Sequence, residues 1–187
     1  NLLVNTYGRK NLNKGDIVVI SEMEHHSNIV PWLMLQKEIG FEIKYIPVTD
    51  DYDLDFKWLE DRVKEYGSKI KIISVVHISN VLGTKNDVKK ISEIGHRIGA
   101  FVIVDGAQSV PHIPVDVKDI DCDALVFSGH KIYGPTGSGV LYCKQDILEK
   151  LQEKKVIEEP FLGGAKIKLH DKQITLDISD EALLALI

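Results

Sequence analysis

Short apolar runs alternate with amphipathic segments along most of the chain. The runs at residues 16–20 (DIVVI), 42–46 (EIKYI), 70–77 (IKIISVVH), 101–105 (FVIVD), 124–128 (ALVFS) and 139–143 (GVLYC) are rich in β-branched residues and have strand length. Between them, about residues 28–39, 55–66, 87–98 and 145–153 place apolar residues three and four apart, which gives a helix one apolar face. Asp55 and Asp87 suit helix N-caps, and Gly40 and Gly99 suit the left-handed stops at helix ends. Near-continuous apolar strands separated by such helices predict an α/β fold, a mostly parallel sheet with helices on both faces. Only a short Gly/Pro-rich segment joins the last two strands, so one antiparallel neighbour is admitted there. Strand order does not follow from the pattern.

The pattern weakens after about residue 160. Residues 161–164 (FLGG) read as a turn, 166–178 alternate like an extended hairpin arm, and the final DEALLALI reads as the beginning of a helix. The expected organisation is therefore a partial domain over residues 1–164 and a divergent tail over 165–187. The chain opens at Asn1, without an initiator Met, directly into the helix-like Leu2, Leu3, Val4 and Tyr7, so it is expected to be cut from something longer.

Composition narrows the class. With 187 residues, 44% of them hydrophobic and 27% charged, the chain can bury a sizeable core as a soluble globular domain. A net charge of -5 speaks against nucleic acid as a partner. No apolar run reaches the roughly 20 residues that span a bilayer, and no basic-then-apolar leader is present, so no membrane partner is expected. Cys122 and Cys143 are too few for a disulfide framework, which points to a reducing cytoplasm; each reads as a small buried hydrophobe.

Candidate chemistry gathers where strands end, the edge at which open α/β sheets bind ligands. His25 and His26 follow the first run, and Asn80 follows the third. FVIV ends in Asp105 with Gln108 close behind, and ALVF runs into Ser128, His130 and Lys131 before a Gly/Pro-rich turn. Taken alone, Lys131 reads as an ion-pair partner, Asp105 as a helix N-cap, Ser128 and His130 as turn-forming groups, and the His pair as surface or core filler. Together they suit Schiff-base chemistry, which needs an amine held in a site that favours its neutral form. A carboxylate at the end of an apolar strand suits a pyridinium nitrogen. A zinc site built from His25, His26, His77 and Cys122 matches no common ligand spacing, and no metal is expected. The segment 134–139 (GPTGSG) lacks the GxxxxGK[ST] order and reads as a turn between strands.

The string SGHKIYGPTGSGVLY, residues 128–142, closely resembles the cofactor-lysine segment of class V aminotransferase-fold enzymes. More narrowly, it is similar to the cysteine desulfurases and selenocysteine lyases that serve iron–sulfur cluster assembly. MEHHSNIVPW (23–32), HISNVLGT (77–84), VDGAQSV (104–110) and DCDALVFSGHK (121–131) match the same group in the same order, and the likeness covers about residues 1–164. It implies the large domain of the fold type I transferases that use pyridoxal 5'-phosphate (PLP), truncated at both ends.

By that resemblance Lys131 would form the Schiff base with PLP and shuttle protons. Asp105 would pair with the pyridinium nitrogen, Gln108 would reach the phenolic oxygen, and Ser128 and His130 would bind the phosphate. His25 would stack on the ring and assist proton transfer, and Asn80 would lie near the cofactor oxygen and the substrate carboxylate. The implied reaction takes L-cysteine to L-alanine and leaves a persulfide on an enzyme cysteine, for delivery to a sulfur-acceptor protein of iron–sulfur assembly by a homodimer. Selenocysteine lyase or another class V lyase or aminotransferase is the sibling alternative, and a chain that does no chemistry is the alternative from another class. The family's nucleophilic cysteine, its substrate-carboxylate arginine and its phosphate loop match nothing in this chain. The isolated chain is therefore expected to turn over poorly or not at all.

Overall fold

A strand covered on both faces has no polar side to show, so its sequence becomes a near-unbroken β-branched run. Among the described residues eight strands form one sheet: β1 (Ile17–Ser21), β2 (Glu42–Ile46), β3 (Ile70–Val76), β4 (Phe101–Asp105), β5 (Ala124–Ser128), β6 (Gly139–Cys143), β7 (Lys166–His170) and β8 (Gln173–Asp177), and β1, β3 and β4 are of this kind. The computed structural model describes residues 1–145, residue 147, and residues 166–170 and 173–177. The sheet order is β2-β1-β3-β4-β5-β6-β8-β7. Strands β1 to β5 run parallel, whereas β6 is antiparallel to β5 and to β8, and β8 to β7.

The differences from the sequence reading are small and have local causes. The run at 16–20 becomes a strand one residue later, because the Asp16 backbone N–H is spent on the preceding turn, donating to the Asn13 carbonyl at 3.1 Å. The arm expected at 166–178 is two antiparallel strands, β7 and β8. Most of the helix expected at 145–153, the turn at 161–164, the boundary at 164/165 and the final DEALLALI segment lie outside the described residues.

The helices are α1 (Arg9–Asn11), which continues a π-helical turn at Val4–Gly8, then α2 (Val30–Ile39), α3 (Phe56–Tyr66) and α4 (Val88–His96), with short α5 (Ser109–His112) and α6 (Val117–Ile120). Asp55 and Asp87 cap α3 and α4, accepting the N–H of Trp58 at 2.8 Å and of Lys90 at 3.0 Å. Helix α2 starts after a 3-10 turn at His26–Asn28, with Pro31 in its first turn, where a missing N–H costs nothing. It ends at Gly40 with φ 85°. Helix α4 stops at His96, short of residue 98, because the chain tightens into turns in which Ile98 and Gly99 donate to Gly95 and His96.

Side chains alternate across the strands, so the sheet feeds two cores. On one face Val18, Ile20, Ile72, Phe101 and Ile103 pack with Leu3, Val4, Trp32 and Leu35. The other carries Val19, Ile73, Val75, Val102 and Val104 against Leu59, Val63, Ile91 and Ile94 of α3 and α4. The helix after β1 thus covers one face and the helices after β2 and β3 the other. That reversal opens a crevice at the carboxyl ends of β1, β3 and β4.

Candidate active site

Strand alternation puts Ser74 and Asp105 on the face shared by Ile72 and Ile103, and the β3–β4 register sets Ser74 opposite Ile103 and Val76 opposite Asp105. A cavity of about 470 Å³ opens there. His25 from beyond β1, Asn80 from beyond β3, Asp105 and Gln108 from β4 and its exit, and Ser128, His130 and Lys131 from β5 and its exit all line it. Seven side chains far apart in sequence thus meet at one sheet edge. A cavity of this size accommodates a small organic ligand.

Lys131 sits in a 3-10 turn, Gly129–Ile132, and its ammonium makes no hydrogen bond or ion pair with another described residue. The turn is closed by its backbone: Gly129 donates to the Ser138 carbonyl at 2.8 Å and Gly134 to the Gly129 carbonyl at 2.9 Å. Asp105 is buried, and one of its oxygens accepts the Ala107 N–H at 2.9 Å in a local turn; it caps no helix, because the short helix that follows begins only after Gln108. The other oxygen accepts no hydrogen bond among the described residues. Burial raises the Asp105 pKa, opposed by the Ala107 N–H and by the positive charge of Lys131.

His25 caps the 3-10 turn that follows it. Its Nδ1 accepts the Ser27 backbone N–H at 3.2 Å and lies 2.9 Å from the Ser27 hydroxyl. A nitrogen that accepts carries no proton, so the neutral ring holds its hydrogen on Nε2. The side chains of Asn80, Gln108, Ser128 and His130 make no hydrogen bond with a described residue, and their polar groups stay uncommitted at the cavity.

Four further residues escape the sequence reading. Asn28, Trp32 and Ser74 line the cavity floor, and Glu24 lies behind them. Glu24 accepts from the Ser21 hydroxyl, from the Val76 N–H at 2.8 Å and from the Asn28 amide at 2.7 Å. Burial pushes its carboxyl up to about 7. A serine inside the apolar run IKIISVVH is the available signal for Ser74. Glu24 and Asn28 stand within the motif MEHHSNIVPW, of which the sequence reading uses only the histidines.

The remaining candidates lie apart. His77 lines a separate cavity of about 410 Å³ with Lys85, Asn86 and Asp116, and Cys122 is buried in the α3–α4 core, so neither joins His25 and His26. No cluster of three or more metal-ligating side chains occurs among the described residues. Cys122 and Cys143 form no disulfide, are buried and do not line the main cavity, and burial pushes the Cys122 thiol up to about 12. None of the described helices is long and apolar enough to cross a membrane.

Comparison with known proteins agrees with this layout. The aminotransferase class V family model matches residues 1–175. A probable cysteine desulfurase from Halalkalibacterium halodurans is 51% identical over 152 residues, which is 81% of this chain and 37% of that protein. A solved cysteine desulfurase from Thermococcus onnurineus matches with a TM-score of 0.75 at 32% identity, over 97% of this chain and 43% of that one. A cysteine desulfurase structure from Escherichia coli gives 0.70 at 30% identity, over 99% and 47%. The chain spans less than half the length of each of these relatives. A family match running from the first residue into β8 covers every strand end that builds the cavity, and the chain belongs to the aminotransferase class V family.

Proposed function

We propose that this chain carries the PLP site of a cysteine desulfurase. The observation that carries the reading is the convergence of Lys131, Asp105, Gln108, Ser128, His130, His25 and Asn80 on one cavity. The names of its relatives add support. The donor set fits the cofactor: Asp105 has an oxygen open for a ring N–H, and Gln108, Ser128 and His130 have uncommitted donors for anionic oxygens. When bound, PLP supplies an electron sink for charge developing at the substrate Cα.

The protein's own groups do the rest. Lys131 is the amine that would bond the cofactor and then move the Cα proton, and Asp105 would keep the ring nitrogen protonated. Ser128 and His130 would hold the phosphate, and Gln108 the phenolic oxygen. His25 would cover the ring and present Nε2–H, and Asn80 would orient the substrate carboxylate. L-Cysteine would leave as L-alanine, with its sulfur passed as a persulfide to a thiol that is neither Cys122 nor Cys143, and then to an acceptor protein of iron–sulfur assembly. The working form would be a cytoplasmic homodimer. The sibling reading is a selenocysteine lyase or other class V lyase or aminotransferase, which the same cofactor groups would equally serve.

The test is production of alanine and protein-bound persulfide from L-cysteine by the full-length protein with PLP, beside Lys131→Ala. Equimolar alanine and persulfide, lost in the variant, support the desulfurase. Alanine formed from L-selenocysteine and not from L-cysteine favours the sibling lyase, and no alanine from L-cysteine overturns the desulfurase.

A further inference from the structure

Glu24 touches none of the cavity, yet it joins three elements that build it. Its Oε1 accepts from Ser21 at the end of β1 and from the Val76 N–H at the end of β3, at 2.8 Å for the latter, and its Oε2 accepts from the Asn28 amide at 2.7 Å, just ahead of α2. Asn28 then turns its oxygen inward, where it accepts from the Ser74 hydroxyl at 2.7 Å and the Trp32 indole N–H at 3.2 Å. The direction of this chain is forced at both ends. The indole N–H and the Val76 N–H can only donate, so the Asn28 oxygen must face Trp32 and the Glu24 oxygen must face Val76.

We propose that Glu24 is a positioning residue that fixes the Asn28 amide and thereby sets the donor and acceptor pattern of the cavity floor. With its hydrogen committed to Asn28, Ser74 offers the cavity only lone pairs. Trp32, fully buried, is held by the same oxygen. Next along the chain, His25 leaves Glu24 from a fixed point. Only the cofactor readout below rests on the PLP reading; the network itself does not.

The logic predicts which variants break the network and which repair it. In Glu24→Gln the amide nitrogen cannot face the Val76 N–H, so it must face Asn28, and two NH2 groups then meet. If Asn28 flips to relieve this, its own NH2 meets the Trp32 N–H, and that buried donor loses its acceptor. Adding Asn28→Asp restores every pairing: the amide introduced at position 24 donates to the new carboxylate at position 28, which accepts from Ser74 and Trp32.

The experiment records the Trp32 indole N–H resonance of the cofactor-free chain, with Trp58 as internal reference, and the PLP affinity by absorbance titration. Glu24→Gln is expected to shift the Trp32 resonance upfield and to weaken PLP binding about tenfold. Combining Glu24→Gln with Asn28→Asp is expected to restore both. An unmoved Trp32 resonance in Glu24→Gln, or a double variant that stays shifted, overturns the proposal. Should the single variant fail to fold, the double variant decides alone: a native indole position supports the network, and an unfolded or shifted protein refutes it. Absence of PLP binding in the wild type would count against the cofactor reading, and the indole resonance would still judge the network.

Discussion

Gly134 donates its backbone N–H to the Gly129 carbonyl at 2.9 Å, closing a turn with Lys131 at its middle. A Cβ built on Gly134 would lie 2.9 Å from that same carbonyl oxygen, and one on Gly129 would overlap Ser138 Oγ. The chain can fold back this tightly only where there is no side chain, and the neighbouring Tyr133 takes a left-handed φ of 64° to complete the turn. Lys131 is therefore placed by backbone geometry and not by partners of its own side chain.

Gly134→Ala should expose that dependence. Its methyl group meets backbone, which cannot rotate away, so the turn must open at a cost of about 1–3 kcal/mol. Lys131 would move with it. The expected outcome is a lower unfolding midpoint in denaturant together with weakened PLP binding by titration; native affinity would show that the turn does not place the lysine.

Gly95→Ala provides the contrast. Its Cβ would sit 2.7 Å from Val102 Cγ2 and 3.2 Å from Ile73 Cδ1, in the core on the far face from the cavity. Overpacking there should cost about 1–3 kcal/mol in chemical denaturation while leaving the PLP affinity of the folded protein unchanged.

Asp105→Asn tests the carboxylate separately from its turn bond to Ala107. The amide oxygen can still accept from Ala107, as one Asp105 oxygen does at 2.9 Å, but its NH2 cannot accept from a ring N–H. Burial already penalises the Asp105 charge, so the cofactor-free variant should be at least as stable as the wild type. Activity of the full-length protein should fall by about a hundredfold or more, because a buried charge-assisted bond is lost. Undiminished turnover would remove Asp105 from the site.

The Glu24 carboxyl, raised from its ordinary 4.5 to about 7, makes stability depend on pH. The folded state holds this proton more tightly than the unfolded chain does. The stability it contributes is thus fully present below about pH 4.5 and is lost as the pH rises through about 7, a change of about 3 kcal/mol. Asp105 shifts in the same sense but is present in both proteins, so comparing wild type with Glu24→Gln isolates Glu24. Denaturant unfolding at pH 5 and pH 8 should show the variant's deficit shrinking at the higher pH; a constant deficit would mean that Glu24 is not protonated on folding.

Much of this fold was legible because its central strands β1, β3 and β4 are buried on both faces and the strands beside them keep short apolar runs. The bounds of β2, β4, β5 and β6 follow residue for residue from their β-branched and aliphatic runs, and the caps of α3 and α4 from Asp55 and Asp87. The polar residues at strand ends could be gathered in advance because an open parallel sheet brings those ends to one edge. The short helices α5 and α6, four residues each, carry too little periodicity to be read. The floor network was hidden for another reason. Asn28 meets Ser74 across 46 residues and Glu24 meets Val76 across 52, so the burial of Glu24 is a property of the assembled sheet and not of its own neighbourhood.

The central claim, that Lys131 is the cofactor-bearing amine, is tested most directly by borohydride reduction of the chain with PLP followed by peptide mapping, beside Lys131→Ala. The account predicts a visible absorption band that reduction abolishes, one pyridoxyl group on the peptide containing Lys131, and neither in the variant. A label spread over other lysines, or one that persists in Lys131→Ala, would contradict it.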